Sequence, residues 1–315
     1  MKKLIITTCL VGTVLLQAQV LPGVNSKGGA MTLPEAKLKM GLKHIYMTRD
    51  SMYNGTKEVP NQQNLDATAN VTVLALRYGV SKNFDVRVAL PYKQIVATAQ
   101  LGPNSVAIDN KGIGDMLVMG RYVVLPMAKY GYQLSVGAGV KLPTGSTDNG
   151  FKKAPPFAQN TNTPLPTQMG TGAFEYKAEV GVSKLITDDM RVDFNTMYTY
   201  RPKAENNYDF GNELSYDLSF TAALTDTINL GLEYNGKYNS DTDMGEDTNA
   251  VLRSKLPFKA FSGTVGYITP EVEFVPFGKP KVHVGVGVSF LAHYNVAEYQ
   301  PLEKQRFVFR LGYLF

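Results

Sequence analysis

The chain has 315 residues, with 32 Lys or Arg, 27 Asp or Glu and a formal net charge of +5. Both signs are interspersed along it, which argues against the concentrated basic face of a nucleic-acid binder. Cys9 is the sole cysteine, so no disulfide framework can form, and beyond the first twenty positions no apolar run is long enough for a helical membrane span.

The opening "MKKLIITTCLVGTVLLQAQ" sets Lys2 and Lys3 before an apolar run from Leu4 to Leu16, with a small-residue exit near Ala18 and Gln19. That is the layout of a secretory signal peptide, and the run is too short to cross a bilayer. Cleavage near Gln19 would remove Cys9 and, with Lys2 and Lys3 gone, lower the net charge from +5 to +3. The mature chain would then hold no thiol, and its stability must come from the fold itself. Residues 20–36 are read as a periplasmic N-terminal segment and residues 37–315 as one β domain.

From Lys37 onward the apolar period is two, which puts successive side chains on opposite faces of a strand. In "FDVRVALPY" Phe84, Val86, Val88, Leu90 and Tyr92 oppose Asp85, Arg87 and Lys93. "MRVDFNTMYTYR", "FGNELSYDLSF", "INLGLEYNGKY" and "KVHVGVGVSFLAHY" repeat the pattern further along. Two segments are less regular. "ATANVTVLALRY" is apolar on both faces, and "SGTVGYITPEVEFVPF" is expected to change face at a bulge near Pro270.

Connections alternate between two kinds. Short Gly-, Pro-, Asp- and Asn-bearing turns stand at "YGVSKNF", "LPMAKYG", "LITDDM", "LTDTIN" and "PFGKPK". Between them, long polar loops are expected at Thr48–Asp66, Ala99–Lys111, Pro143–Gln168, Pro202–Asp209, Asn239–Leu256 and Asn295–Lys304. Five short and six long connections imply twelve strands, an even number with the short-turn, long-loop asymmetry of an antiparallel up-and-down outer-membrane β-barrel.

An Arg or Lys on the lipid face near the midplane costs about 2–4 kcal/mol, so the charged face is expected to line the lumen. The lumen-lining candidates are Arg87, Lys93, Arg121, Lys141, Glu175, Lys177, Glu179, Arg191, Asp193, Glu213, Asp217, Glu233, Lys237, Arg306 and Arg310. They either filter solutes or pair across the lumen and close it. Tyr92, Tyr122, Tyr132, Tyr200, Tyr238, Tyr294 and Tyr313 are placed in interfacial girdles. In the closing "RFVFRLGYLF", the residues Phe307, Phe309, Leu311, Tyr313 and Phe315 face lipid and resemble the C-terminal signal that outer-membrane barrels present to their assembly machinery.

Four stretches carry a more particular likeness: "GGAMTLPEAKLKMGL", "KGIGDMLVMGRYVVL" from Lys111, "GAGVKLPTGSTDNG" from Gly137 and "TQMGTGAFEYKAEVGVSK" from Thr167. Together they resemble the outer-membrane transporter family named for the MetA pathway of phenol degradation. That resemblance implies a barrel and passage of small, apolar or aromatic molecules. By the residues themselves, Gly112 and Gly114 suit a loop re-entering the wall with Asp115 hydrogen-bonded to the turn. Pro143, Thr144 and Gly145 open the longest loop, and Gly170 and Gly172 begin the next strand.

Histidine is the usual general base, and the chain has His44, His283 and His293. His44 is expected to face lipid beside Leu42 and Tyr46, with no serine in a lipase-like pattern nearby, and the other two read as strand or girdle residues. No catalytic residue, metal or cofactor is assigned. The loop "NSDTDMGEDTN" gathers Asp241, Asp243, Glu246 and Asp247 and reads as a solvated external loop before a calcium site. "PPFAQNTNTPLPTQ" is either a mobile loop or a segment folded inward to constrict the pore. The expected function is a passive outer-membrane channel for small molecules. A non-conducting structural or surface-binding barrel is the alternative, and an outer-membrane hydrolase the third reading. Expected partners are outer-membrane lipids and lipopolysaccharide, the barrel-assembly machinery and a small-molecule solute, with no nucleic acid.

Overall fold

The computed structural model describes residues 28–204, 207–243, 261–276 and 281–315. The expected signal peptide and Cys9 fall outside that set, as do Glu246 and Asp247. The strands are β1 (Leu38–Arg49), β2 (Ser51–Gly55), β3 (Lys57–Val59), β4 (Asp66–Ser81), β5 (Phe84–Leu101), β6 (Asn104–Ile113), β7 (Met116–Leu125) and β8 (Gln133–Leu142). They continue as β9 (Glu175–Thr187), β10 (Met190–Tyr200), β11 (Glu213–Ala223), β12 (Ile228–Asn239), β13 (Gly263–Phe274), β14 (Val282–Leu302) and β15 (Gln305–Leu314). A four-residue helix, α1 (Met127–Tyr130), sits in the β7–β8 turn.

Every pairing is antiparallel, and β15 against β1 together with β13 against β14 closes a wall of 12 strands. Closure removes the free edges that could not be satisfied in lipid. The remaining three strands are extensions: β2 and β3 form a hairpin on the upper end of β14, and β6 pairs with the upper half of β5.

The wall is inside out relative to a soluble protein. Along β10, Arg191, Asp193, Asn195, Met197 and Thr199 are buried, whereas Met190, Phe194, Tyr198 and Tyr200 are exposed. Glu233 is 0% exposed and its neighbour Leu232 53%. Such an arrangement is stable only where the outer solvent is hydrocarbon and the charges pair within. Tyr176 and Tyr200 stack with ring centroids 6.4 Å apart on the outer face, and Tyr122, Tyr130, Tyr132 and Tyr313 lie exposed toward the other end. The terminal Phe307, Phe309, Leu311, Tyr313 and Phe315 all face outward.

Several expected connections are strand. Ala99–Lys111 is the tip of the β5–β6 hairpin, turned at Gly102 and Pro103. Gly102 has φ 63°, and a glycine at positive φ in the first central position is what a tight hairpin turn of the II′ kind needs. Most of Asn295–Lys304 continues β14, because β2 supplies a second partner there, and Thr48–Asp66 contains the β2–β3 hairpin. Gly170 and Gly172 precede β9 rather than beginning it.

Nor does β13 change face at Pro270. Its register with β12 runs unbroken from Phe274 to Gly263, with Thr269, Glu271 and Glu273 all buried. Pro270 lacks an N–H, and pairing with β14 skips it and Thr269 before resuming at Glu271 in the same register. The shift lies instead between Gly266 and Tyr267, opposite Leu291 and His293. That bulge turns Tyr294 away from the girdle expected for it. The ring packs inward against Tyr53, 4.6 Å away, and the cluster containing Val265 and Val296.

Candidate functional site

Among the described residues, charged groups converge in the lumen, and the structure divides it into two tiers. In the lower tier, nearest the chain termini, Glu179 Oε1 accepts from Arg121 at 2.8 Å and Oε2 from Arg87 at 2.5 Å. Arg77 pairs with Asp85 at 2.6 Å, Arg191 with Asp193 at 2.7 Å, and Arg310 with Glu273. Lys43 lies in the field of Glu233, Asp217, Glu271 and Arg310. His283 is buried at this end, its ring filling the space beside Gly312, where a Cβ would collide with it.

Gly28 to Leu33, within the stretch read as a periplasmic N-terminal segment, lie inside this tier. The Ala30 N–H donates to Ser183 Oγ at 2.8 Å and the Leu33 N–H to Asp85 Oδ2 at 2.8 Å. The Ala30 carbonyl accepts from Gln133 at 2.9 Å, and that of Met31 from Arg77 and Arg121. Small residues make the passage possible: a Cβ on Gly181 would strike the Gly29 carbonyl, and one on Gly29 would strike Asp193 and Ser183. Gly28–Leu33 is therefore a strap across the lower lumen. Four of its backbone polar groups are satisfied by the wall, as burial favours, and the Met31 N–H donates to the Gly28 carbonyl within the strap.

The upper tier surrounds a cavity of about 580 Å³. Ala67, Ala69, Val71, Ile95, Ala97 and Leu101 form part of its wall. These inward residues explain why the β4 segment reads as apolar on both faces: one face meets lipid and the other this vestibule. The opposite wall carries Tyr208, Phe210, Phe261, Val265 and Tyr267. Charged groups collect at its base. Glu303 accepts from Arg49 at 2.8 Å and Arg306 at 2.5 Å, Glu213 from Arg201 at 2.9 Å, and Lys141 bridges Asp115 at 2.6 Å and Glu175 at 2.7 Å. Lys177 lies 3.6 Å from Glu175, and Lys237 3.9 Å from Glu213. Glu303 stands in the β14–β15 turn. Burial would raise its carboxyl, but Arg49, Arg306 and Lys237 outweigh that and hold it well below the usual carboxylate range.

The loop between β8 and β9 folds inward. Ala158 is fully buried against Leu101 and Val106, and Pro164, Leu165 and Pro166 line the vestibule. Its anchor is Asp115. Oδ1 accepts the Gly145 N–H at 3.0 Å, and Oδ2 accepts the Thr171 N–H at 3.0 Å and Lys141 at 2.6 Å. Gly145 and Gly170 cross so closely that a Cβ on either would meet the other's backbone. The Pro, Thr and Gly pattern of the sequence motifs thus pins the loop into the barrel mouth. The Lys93 ammonium donates to the Met169 carbonyl at 2.7 Å beside it.

Inner-face residues outside the lumen-lining candidates are Lys39, Lys43, Arg49, Arg77, Asp115, Arg201, Glu271, Glu273 and Glu303, together with Asp85, whose strand face was already read as the charged one. The signal for Lys39 and Lys43 was present, since they alternate with Leu38, Met40 and Leu42. Arg77 was hidden by the two-sided apolar segment, and Glu271 and Glu273 by the expected face change. His44 lies on the outer face and hydrogen-bonds Thr72 at 2.8 Å; His293 is exposed. Asp243 and Asp209 exchange backbone hydrogen bonds. Among the described residues, no group of three or more His, Cys, Asp or Glu is arranged to hold a metal ion.

The crystal structure of an outer-membrane channel from Pseudomonas putida F1 is similar to this fold with a TM-score of 0.69, at 14% sequence identity, over 92% of this chain and 99% of its own. CymD, a monoaromatic hydrocarbon channel, aligns at a TM-score of 0.44 and 10% identity over 95% of this chain and 97% of its own. The NanC porin aligns at 0.44 and 9% identity over 87% and 98%. No curated protein sequence matches the chain. Residues 48–288, more than half of the 315, match the family described as "Putative MetA-pathway of phenol degradation", so the chain belongs to that family, and its fold is that of an outer-membrane β-barrel.

Proposed function

We propose that this barrel is a passive route for small molecules across the outer membrane, with apolar or aromatic molecules as its preferred solutes. The observation that carries the reading is the vestibule: a cavity of about 580 Å³ inside the wall, apolar on its sides and charged at its base. Its size lies within the range of small-ligand sites. The channel from Pseudomonas putida F1, similar in fold, supports a conducting role, and the hydrocarbon and aromatic side walls favour solutes with apolar surface to bury. No catalytic role is assigned to any residue.

A second reading, a barrel that does not conduct, is favoured by one observation. The strap from Gly28 to Leu33 and the Arg87, Arg121 and Glu179 cluster occupy the lower tier. In this reading the strap and the cluster together close the lower lumen. Planar-bilayer recording with the purified barrel separates the readings. Unitary conductance steps are expected of a channel, and a flat trace from correctly folded protein refutes it.

A further inference from the structure

The two halves of the vestibule differ in chemistry, and the difference specifies a solute. The walls carry hydrocarbon and aromatic side chains interspersed with neutral polar ones such as Gln63, Thr98, Asn239 and Gln300, whereas Arg49, Lys93, Arg201, Lys237 and Arg306 border the cavity beside, among the described residues, three carboxylates, Glu175, Glu213 and Glu303. The carboxylates are also the hidden partners. Side-chain exposure is 40% for Arg49 against 5% for Glu303, and 42% for Lys237 against 15% for Glu213. At these two pairs the cavity meets the cation first, with the balancing anion behind it, while Arg201 and Glu213 are equally hidden.

Two of these cations are held more loosely than the arginines, although carboxylates act on both through space, Glu213 and Glu303 on Lys237 and Asp115 and Glu175 on Lys93. Lys237 stands 3.9 Å from Glu213, and Lys93 donates to a carbonyl rather than a carboxylate. Arg306 lies 3.5 Å over the Tyr267 ring, which aligns a guanidinium with the aromatic wall. A neutral hydrocarbon would use the walls and gain nothing from the cations. A small inorganic anion would use the cations and leave the walls wet.

From this geometry we propose that the vestibule selects small aromatic monocarboxylates, with the ring against the apolar wall and the carboxylate toward Lys237, Lys93 and Arg306. The assignment rests on the channel reading above and names its solute class. Charge-assisted hydrogen bonds hold the carboxylate, and binding must stay weak, with Kd on the order of 1 mM, if the solute is to leave again.

The test uses the full-length mature barrel in detergent micelles, titrated calorimetrically with benzoate, benzyl alcohol, acetate and benzylammonium. Benzoate is expected to bind about tenfold more tightly than each of the others, a difference of about 1.4 kcal/mol. Lys237→Gln is expected to remove most of the preference over benzyl alcohol, and Lys93→Gln serves as the second variant, both checked for native heat-modifiable mobility. Benzyl alcohol binding as tightly as benzoate, or a preference unchanged in both variants, overturns the proposal. Swelling of liposomes in a neutral sugar separates it from the channel reading. A barrel that prefers benzoate yet passes no sugar or benzoate refutes conduction and supports the site, whereas one that conducts without the preference refutes the site alone.

Discussion

The upper and lower tiers of the lumen are built on the same strands with the same alternation, yet one encloses a cavity and the other is crossed by ion pairs and a strap. On β5 the inner face carries Asp85 and Arg87 below and Ile95, Ala97, Ala99 and Leu101 above, without a break in register. Below, long charged side chains from several strands meet in the middle and a strap of small residues crosses beside them. Above, short apolar side chains leave space, and the β8–β9 loop only narrows it. Alternation therefore decides which way a side chain points, and the inner residues' length and charge decide how much of the lumen they cross.

The most damaging test of the lower tier is Glu179→Ala, which strips the carboxylate shared by Arg87 and Arg121. Leaving a buried guanidinium without its counter-ion costs about 3–5 kcal/mol, read as a lower denaturant midpoint in micelles. An unchanged midpoint would mean that the tier is well hydrated rather than packed. In the upper tier, Asp115→Asn weakens the loop anchor and its bond to Lys141, for a loss of about 1.5–3 kcal/mol in hydrogen bonds to a charged group. Limited proteolysis is expected to cut between Pro143 and Phe174 faster while the strands stay protected.

Gly29→Val tests the strap. The added branch collides with Asp193 and Ser183 at a residue with φ 52°, where strain of about 1–3 kcal/mol disfavours docking. Conductance is expected to rise with barrel stability nearly unchanged, whereas equal conductance would remove the strap as the closure. The smallest effect expected is that of pH on the vestibule base. Because Glu303 has a depressed carboxyl, the stability it contributes is complete above the unfolded glutamate value, about 4.3, and lost only as pH falls through its lower folded value. Between about pH 8 and 5, therefore, the Glu303 contribution to the denaturant midpoint should be constant, with no pH dependence of its own, checked against Glu303→Gln.

The barrel, its strand number and its inside-out polarity were legible in the sequence, because a period of two with charges on one face is a local property that lipid and water interpret in a single way. The inner positions of Arg87, Glu179, Asp193 and Glu233 followed from the same pattern, as did the outward face of Phe307 to Phe315. What the sequence left open was everything set by contacts between distant segments. That Glu179 pairs with both Arg87 and Arg121, that Gly29 crosses Gly181, and that Asp115 ties Gly145 to Thr171 each depend on strands far apart in the chain meeting across a closed wall. Local periodicity carries no information about which opposite charge stands across a lumen or how wide the space between them is. Tertiary structure alone settled that Gly28 to Leu33 turn inward and that the face read as a second apolar surface of β4 encloses the vestibule.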